Sequence, residues 1–409
     1  MASEIVLVNI SGEDQPGLMA MVTSTLAQYQ VRILDVGQAV IHDELNVGML
    51  VQVMDSADTA GVMKDLQFKA AELGITVRFT PISESHYHDW VASQGKPRYI
   101  VTLLASGFTG AQMAAVTRIV HSYGLNIDSI RRLSGRIPLT RHGTHARTSI
   151  EMSLRGTVAD SEALKAELLA AADELVFDFS VQEDTVYRRN RRLVAFDMDS
   201  TLIDAEVIDE LAKVHGVGPE VAAITERAMR GELLFRDSFR ARAALLQGLP
   251  ESALRQVAEA VVLNDGAHRL IRALKLFGYK TAILSGGFQY VGEHLQRELG
   301  IDYVYANRLV VRDGVMTGEV DGPIVDAERK AELLLEIAHK ESISRQQTIA
   351  IGDGANDLPM LSAAGLGIAY HAKPLVKETA RHSISNFGLD SVLYLLGFSD
   401  RDIETALEG

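Results

Sequence analysis

The chain has 409 residues, which is enough for two to four domains of ordinary size. Hydrophobic residues make up 47% and charged residues 23%, which is typical of a folded protein and argues against a disordered one. The formal net charge of -14 disfavours a nucleic-acid-binding or anionic-membrane-binding protein, and the lack of cysteine excludes disulfides, thiolate catalysis and cysteine-ligated zinc.

The N-terminus has no basic segment followed by an apolar one, so we expect no secretory signal. No apolar run approaches the ~20 residues that a membrane-spanning helix requires. Both observations favour a cytoplasmic location without a membrane partner.

Residues 1–182 contain a weak internal repeat. Each copy begins with an apolar strand, Ile5–Ile10 or Tyr99–Leu104, and continues in the order helix, strand, strand, helix, strand. This order predicts the split βαβ motif twice, as two α+β domains at 1–85 and 97–182. We expect the polar residues 86–96 and 183–190 to be irregular linkers, and the basic run at 188–192 to be solvated.

From about residue 191 the pattern changes to alternating strands and helices, which predicts a doubly wound parallel sheet. Residues 205–263 are almost wholly helical in pattern and predict an inserted helical subdomain. Asp313-Gly314, between two valine-rich runs, predicts a hairpin.

Two aspartates follow the first strand of this sheet. The strand period of two residues places Asp197 and Asp199 on one side of the backbone, at a carboxyl end, where open α/β sheets bind ligands. Two carboxylates this close repel each other unless a cation lies nearby, so the pair predicts a site for a hard cation such as Mg²⁺. A turn with two capping aspartates is the alternative interpretation of this segment alone.

Two further segments have residues suited to metal or phosphate. Asp353, Asn356 and Asp357 follow another predicted strand and offer oxygen ligands for a hard cation. Ser285 and Gly286, at the predicted start of a helix, could bind an anion through the hydroxyl group, backbone N–H groups and the positive helix end. A turn and an ordinary N-cap are the alternatives.

The order of these motifs resembles a known superfamily. The aspartate pair, the Ser-Gly segment, Lys330 and the segment Gly352–Asp357 succeed one another as in the haloacid dehalogenase superfamily of phosphotransferases. Residues 191–409 resemble the phosphoserine phosphatase family within it, with 205–263 as a helical cap. Residues 1–182 resemble two ACT domains, which are small modules that sense amino acids.

The resemblance implies an enzyme that hydrolyses O-phospho-L-serine to L-serine and phosphate, the last step of L-serine biosynthesis. Asp197 would be the nucleophile that forms an aspartyl phosphate, and Asp199 the general acid and base. Lys330, Ser285 and Gly286 would bind phosphoryl oxygens. The metal ligands would be the Asp197 carboxylate, the Asp199 backbone carbonyl and Asp353, with Asn356 and Asp357 beside them and Asn356 also lining the substrate site.

The cap would select the substrate. The resemblance implies that Glu206 pairs with the ammonium group of phosphoserine and Arg242 with its carboxylate. Met229 and Phe235 would form apolar walls that exclude water when the cap closes. Without the resemblance, Glu206 and Arg242 would be interpreted as surface ion-pair residues.

The ACT-like domains would bind an amino-acid effector, for which we expect serine, and would pair in a homodimer. Asp14 and Gly17 precede a helix and suit a carboxylate at its N-terminus, whereas Gly110 in the second domain could equally form a tight turn. Asp35 and Asp128, near the start of the strand after each helix, could receive an amino group.

Three other functions remain open at this point. A related phosphotransferase would pass the phosphoryl group to an alcohol, and phosphate release with and without homoserine would separate it from a hydrolase. An amino-acid sensor with a non-catalytic hydrolase domain would tolerate degraded motifs, and none is degraded here. A protein phosphatase would have little use for Arg242, since most phosphoserines in a chain lack a free carboxylate.

Overall fold

The computed structural model describes residues 3–54, 56–136, 147–380 and 382–408. These residues form two compact units, Met1–Lys96 and Pro97–Gly409. No helix among them is both long and apolar enough to cross a bilayer.

The first unit has a four-stranded antiparallel sheet in the order β2-β3-β1-β4. Its elements are β1 (Glu4–Glu13), α1 (Leu18–Gln28), β2 (Arg32–Ile41), β3 (Glu44–Val53), α2 (Ser56–Glu72), β4 (Thr76–Ile82) and α3 (Glu84–Ser93). Burial alternates along β3, from Leu45 to Val53, because one face of the sheet packs on α1 and α2. The expectation of an irregular segment at 86–96 is wrong, since α3 forms there with Ser83 as its N-cap.

The second unit begins with the same sequence of elements. These are β5 (Arg98–Ala105), α4 (Gly110–Ser122), β6 (Asn126–Arg132), β7 (Thr148–Arg155), α5 (Ser161–Leu175) and β8 (Asp178–Glu183). The strand order β6-β7-β5-β8 matches that of the first unit, strand for strand. The weak repeat in the sequence therefore corresponds to two domains with the same fold.

The rest of the second unit is an α/β domain. It consists of β9 (Leu193–Phe196), α6 (Val207–His215), α7 (Gly218–Met229), α8 (Phe235–Ala244), α9 (Glu251–Ala260), α10 (Ala267–Leu276), β10 (Lys280–Phe288), α11 (Gln289–Leu299), β11 (Tyr303–Arg312), β12 (Val315–Asp321), α12 (Ala327–Lys340), β13 (Thr348–Gly352), α13 (Leu358–Ala363), β14 (Leu366–Tyr370), α14 (Pro374–Thr379), β15 (His382–Ile384), α15 (Val392–Leu395) and α16 (Asp400–Glu408). Strands β10, β9, β13, β14 and β15 are parallel neighbours, and β11 and β12 form the predicted hairpin. Helices α6–α9, which we call the cap, occupy the predicted insertion.

Strand β9 is the centre of this domain. All four of its side chains are fully buried, and they alternate between two clusters: Val194 and Phe196 face one layer of helices, and Leu193 and Ala195 face the other. Burial on both faces is what a central parallel strand requires. The predicted doubly wound sheet is confirmed, and its centre positions the residues that follow β9.

The two parts of the second unit share one sheet. Strand β15 pairs antiparallel with β8. The described residues of this unit therefore form one continuous sheet of eleven strands. The Asp178 carboxylate on β8 accepts hydrogen bonds from the backbone N–H groups of Ser385 and Asn386 at 3.0 and 2.9 Å. The expectation of a solvated basic run is wrong for two residues, because Arg188 and Arg191 are buried between these parts.

Candidate active site

Three neighbouring parallel strands direct the predicted motifs to one edge of the sheet. Asp197 directly follows β9, and Asp353 directly follows β13. Ser285 lies within β10, which pairs with β9 on its other side. Because the carboxyl ends of parallel strands share an edge, three distant stretches of the chain converge there.

Two local predictions differ from the structure. Strand β9 ends at Phe196, so Asp197 and Asp199 lie in the turn after it, and Ser200 there has the left-handed φ of 57°. Strand β10 runs to Phe288 and helix α11 begins only at Gln289. Ser285 and Gly286 are therefore in extended backbone, and the prediction that they lie at a helix N-terminus is wrong.

The Asp197 carboxylate is fixed by two hydrogen bonds. Its Oδ1 accepts from the Met198 backbone N–H at 2.8 Å and lies 2.9 Å from Nζ of Lys330. The backbone N–H of Asp197 donates to the Ile351 carbonyl at 2.9 Å, which ties the residue to β13. The carboxylate is thereby held in one orientation at the sheet edge.

Lys330 is a fully buried cation between two carboxylates. Its Nζ lies 2.9 Å from Asp197 and 2.7 Å from Asp357. Burial alone would lower the pKa of Lys330, but the two carboxylates outweigh burial and hold that pKa above its ordinary value. Lys330 is therefore positively charged at neutral pH, and it is not the solvated side chain that its local sequence indicates.

Three carboxylates form an acidic cluster beside this lysine. Asp197, Asp353 and Asp357 each offer an oxygen, and these oxygens lie within 4.8 Å of one another. Burial, and next the charge of Asp357, raise the pKa of Asp353 to about 6 and also raise the pKa of Asp197. The single charge of Lys330 does not balance three carboxylates, and their hard oxygen donors fit a metal ion.

The members of the cluster are held differently. Asp357 accepts hydrogen bonds from the backbone N–H groups of Asp353 and Gly354 at 3.1 and 3.0 Å, in addition to its pair with Lys330. Among the described residues, the one side-chain donor to Asp353 is the Thr201 hydroxyl at 2.8 Å. Asp357 is thus occupied by protein donors, whereas Asp353 keeps an oxygen for another ligand.

Asp199 is half-buried, and one of its carboxylate oxygens lacks a hydrogen bond. Its Oδ1 has no hydrogen-bond partner among the described residues. Burial, then the charges of Glu206 and Asp197, raise the pKa of Asp199 well above its ordinary value. A protonated Asp199 carboxyl can donate a proton at neutral pH, which is the property of a general acid.

Small residues near the end of β10 face these aspartates. The Ser285 hydroxyl accepts a hydrogen bond from the Gly287 N–H at 2.9 Å. A side chain on Gly287 would come within 2.6 Å of Asp199 Oδ2, and one on Gly286 within 2.9 Å of the Phe235 ring. Glycine at both positions lets the backbone approach the aspartates and the cap closely.

Asn307 holds this end of β10, although no sequence motif predicted it. Its Nδ2 donates to the Gly286 carbonyl at 2.8 Å, and its Oδ1 accepts from the Val325 N–H at 2.8 Å. Asn307 is buried on β11. A single polar residue inside a strand carries no motif, so only the folded structure reveals this link.

The cap places its predicted residues over the same region. Glu206 is the N-cap residue of α6 and accepts a hydrogen bond from the Ser200 hydroxyl at 3.0 Å. Met229 ends α7 and is largely exposed, whereas Phe235 begins α8 and stacks on Phe239.

Arg242 on α8 is a partly buried guanidinium with weak internal partners. It donates to the Ser238 carbonyl and to the Thr225 hydroxyl, each at 3.4 Å. No carboxylate of a described residue lies within ion-pair distance of it. Burial lowers the pKa of Arg242 somewhat, but not enough to remove its charge. Its fork of donors is therefore available to an external anion.

One cavity of about 980 Å³ connects these groups. Ten of the predicted residues line it: Asp197, Asp199, Glu206, Met229, Phe235, Arg242, Ser285, Gly286, Asp353 and Asn356. Lys330 and Asp357 are buried beneath its floor. Lining residues that the sequence analysis did not single out include Arg236 and Lys373, which carry no motif signal.

The predicted effector residues lie elsewhere. In the first unit, Gly17 has φ of 93° at the start of α1, and the exposed Asp35 accepts a hydrogen bond from the Val36 N–H. In the second unit, Gly110 begins α4 behind the capping box of its N-cap residue Thr109. The Asp128 carboxylate is paired with Arg155 at 3.0 Å. The positions in the second unit are thus satisfied by the protein itself.

Comparisons with known proteins agree with this architecture. Residues 194–362 match the family of haloacid dehalogenase-like hydrolases, and residues 4–80 match the ACT domain. The chain is 40% identical to a phosphoserine phosphatase of Mycobacterium tuberculosis over 99% of its own length and 96% of that protein. It is also 40% identical to a phosphoserine phosphatase of Streptomyces coelicolor, over 98% and 94% of the two chains.

A solved structure agrees as well. The crystal structure of a probable phosphoserine phosphatase from Vibrio cholerae is 34% identical, with a TM-score of 0.58 over 76% of this chain and 88% of that one. The fold, the converging motifs and the full-length relatives lead to one conclusion. The chain belongs to the phosphoserine phosphatase family of haloacid dehalogenase-like hydrolases and has an N-terminal ACT domain.

Proposed function

We propose that the chain hydrolyses O-phospho-L-serine to L-serine and inorganic phosphate, the last step of L-serine biosynthesis, with Asp197 as nucleophile. The observation that carries this proposal is the convergence of two aspartates with different surroundings. Asp197 lies 2.9 Å from the Lys330 cation, whereas Asp199 has an oxygen without a hydrogen-bond partner among the described residues and a pKa raised by burial well above its ordinary value. One carboxylate for attack and one carboxyl for proton donation is the division of labour that the reaction needs.

The reaction has two steps. An Asp197 oxygen bonds to phosphorus, the bond from phosphorus to the serine oxygen breaks, and Asp199 gives its proton to that oxygen. Asp199, now a carboxylate, then takes a proton from water as the water oxygen bonds to phosphorus and the aspartyl–phosphorus bond breaks. Lys330 and Ser285 hold phosphoryl oxygens in both steps.

The acidic cluster fits Mg²⁺. Asp197 and Asp353 would hold it with the Asp199 backbone carbonyl, and Asn356 and Asp357 would lie beside it. When bound, the ion offsets the repulsion between carboxylate and phosphate, which is about 4 kcal/mol per pair of unit charges at ~4 Å and an effective dielectric constant of ~20.

The cap supplies the recognition of the amino acid. Arg242 has donors without a carboxylate partner among the described residues, and Glu206 lines the same cavity. A free amino acid offers the complement of each, a carboxylate for Arg242 and an ammonium group for Glu206. Met229 and Phe235 would exclude water around the ester.

Regulation by an amino acid is part of the proposal. The ACT domain at the N-terminus supports an effector site near Asp14, Gly17 and Asp35, and serine is the effector that the reaction itself would supply. Gly110 and Asp128 of the second unit remain weaker candidates, since their surroundings already satisfy them. We further propose a cytoplasmic homodimer that pairs through the ACT-like domains.

The test is phosphate release from L-phosphoserine, with and without Mg²⁺, by the wild type and Asp197→Asn. We expect release only by the wild type with Mg²⁺. Asp204→Asn, an exposed aspartate seven residues further on, is the matched control and should remain active. A fully active Asp197→Asn would refute the assignment of Asp197 as nucleophile. Transfer of phosphate to added homoserine, instead of its release into solution, would favour a phosphotransferase.

A further inference from the structure

The cap and the helix of Lys330 meet at one carboxylate. Asp326 is the N-cap residue of α12, and its Oδ1 accepts a hydrogen bond from the Arg329 N–H at 3.0 Å. Its Oδ2 accepts from Nε of Arg236 at 2.5 Å, and Arg236 is the second residue of cap helix α8. The Asp326 side chain is only 8% exposed, whereas that of Arg236 is 59% exposed. The two oxygens of one buried carboxylate thus bind two different parts of the domain.

Asp326 also has a fixed relation to Lys330. The Lys330 backbone N–H donates to the Asp326 carbonyl at 2.9 Å, in the first turn of α12. The Lys330 side chain in turn lies 2.9 Å from the Asp197 carboxylate. The Asp326 carboxylate, which contacts the cap, therefore lies one helical turn from Lys330, the cation at the phosphate site.

The two ends of α8 are anchored differently. Its C-terminal end packs closely on the hairpin, since a Cβ on Gly318 would lie 3.0 Å from the Ala244 backbone. Just beyond that end, the Gly248 N–H donates to the Met316 carbonyl at 2.8 Å. The N-terminal end instead carries Phe235, whose ring lies against Gly286.

Among ion pairs between described residues, Arg236–Asp326 is the one that connects 207–260 to the remainder of the second unit. The other ion pairs of the cap join cap residues to each other. The N-terminal end of α8 is therefore held by aromatic packing and by an ion pair that is exposed on one side, while the opposite end has backbone contacts with the hairpin.

We propose that Arg236 is a positioning residue that, through Asp326, holds the N-terminal end of α8 over the phosphate site and so sets the affinity for substrate. This inference rests on the proposed function. Without the pair, α8 would still be anchored at the hairpin, but Phe235 would cover Gly286 for a smaller fraction of the time. A smaller closed fraction raises the apparent KM without altering the contacts made in the closed state.

The first test compares Arg236→Ala with the wild type on L-phosphoserine. We expect KM to rise by about two- to fivefold, the range for an ion pair exposed on one side, with kcat within about twofold. Arg236→Lys, which keeps the charge, should recover part of the loss. Arg230→Ala is the matched control, since Arg230 is an exposed cap arginine whose ion pairs, with Glu226 and Glu232, lie within the cap. An unchanged KM for Arg236→Ala, or a loss confined to kcat, would overturn the proposal.

A second variant tests whether the two residues act as one unit. Asp326→Asn keeps an oxygen for the Arg329 N–H but loses the charge that Arg236 binds. Adding Arg236→Ala to Asp326→Asn should then raise KM by less than twofold further. A full additional rise would mean that Arg236 acts independently of Asp326.

Hydrogen exchange gives a readout that needs no turnover. The Ser238 N–H donates to the Leu234 carbonyl at 2.9 Å across the start of α8, so its exchange reports on that end. Inorganic phosphate should slow this exchange in the wild type and in Arg230→Ala, but much less in Arg236→Ala. If this difference appears while phosphoserine is not hydrolysed, the proposed function fails and the role of Arg236 stands. If phosphoserine is hydrolysed and no difference appears, the role of Arg236 fails alone.

Discussion

Lys330 and Asp357 form an ion pair of 2.7 Å that is almost fully buried beneath the Asp197 carboxylate. The same Nζ lies 2.9 Å from Asp197, so one cation compensates two buried anions. Removing one partner from a buried ion pair is far more costly than losing an exposed pair, because the remaining charge stays desolvated. Lys330 should therefore contribute to stability as well as to phosphate binding.

Lys330→Met tests both contributions. We expect the free energy of unfolding to fall by about 3–5 kcal/mol and phosphate release to fall by at least ~100-fold. Urea unfolding and phosphate release measure the two losses. Lys340→Met, at the exposed end of the same helix, should change stability by less than about 1 kcal/mol, since the interaction that it loses among the described residues is a contact over the Tyr303 ring. Equal stability of the two variants would contradict the compensating role of Lys330.

Half-buried Arg147 and buried Asp390 form a second ion pair, between the ACT-like and catalytic parts of the second unit. Arg147 donates to both Asp390 oxygens, at 2.5 and 2.6 Å, and Arg269 binds one of them at 2.8 Å. We expect Arg147→Ala to lower the free energy of unfolding by about 1.5–3 kcal/mol at pH 7, as for hydrogen bonds to a charged group. Arg131→Ala, which removes an exposed arginine paired with Glu151, should cost less than about 1 kcal/mol.

The Arg147 effect should depend on pH in a defined direction. Burial opposes ionisation of Asp390, but Arg147 and Arg269 outweigh burial and hold the pKa of Asp390 below its ordinary value of 3.8. A depressed pKa in the folded state gives stability that is present above the unfolded pKa and lost as the pH falls through the folded one. The difference between wild type and Arg147→Ala should thus be constant from pH 7 to about pH 5 and shrink below about pH 4. A difference that grows on acidification would refute this assignment.

The sequence predicted the residues of the active site better than the contacts between the ACT-like and catalytic parts of the second unit. Asp197, Ser285 and Asp353 could be placed because each follows or ends an apolar run that must be a buried strand, and parallel strands share one edge. Lys330 was identified only through the order of the motifs. By its local sequence it lies in a charged helix, and nothing in that pattern shows that it is buried.

Pairings between distant segments were not predictable from local periodicity. Strand β15 has three residues, too few for a period to be recognised, and its partner β8 is about 200 residues away. Burial of Arg188 and Arg191 follows from that pairing, since the basic run passes between the joined parts. Asn307 was missed for the same reason, because its partners Gly286 and Val325 are distant in sequence.

Substrate selection by the cap can be separated into its two charges. Arg242→Ala should lower kcat/KM for L-phosphoserine by about 10- to 100-fold, the worth of a charge-assisted hydrogen bond, and by less than about threefold for phosphoethanolamine, which has no carboxylate. Glu206→Gln keeps an acceptor for the Ser200 hydroxyl and removes the charge. The kcat/KM of Glu206→Gln should therefore fall with phosphoserine and phosphoethanolamine. It should not fall with a third ester, an analogue of phosphoserine that lacks the amino group. Equal losses of Arg242→Ala on all three esters would show that the arginine only supports the cap.

The two ACT-like modules should differ in their response to serine. Asp35 is exposed, and its one hydrogen-bond donor among the described residues is the adjacent Val36 N–H. Asp128, in contrast, is bound by Arg155 at 3.0 Å and by Asn126 at 2.8 Å. An amino group can therefore approach Asp35 without displacing a partner, but at Asp128 it would have to replace a guanidinium.

We expect Asp35→Asn to raise the serine concentration for half inhibition by about tenfold, through loss of a charge-assisted hydrogen bond, and Asp128→Asn to change it by less than twofold. Activity without serine should be the same in both variants and the wild type, because neither residue lines the catalytic cavity. Initial rates over a serine titration measure the shift. A larger effect at Asp128 would move the effector site to the second module, and a wild type insensitive to serine would remove serine as the effector.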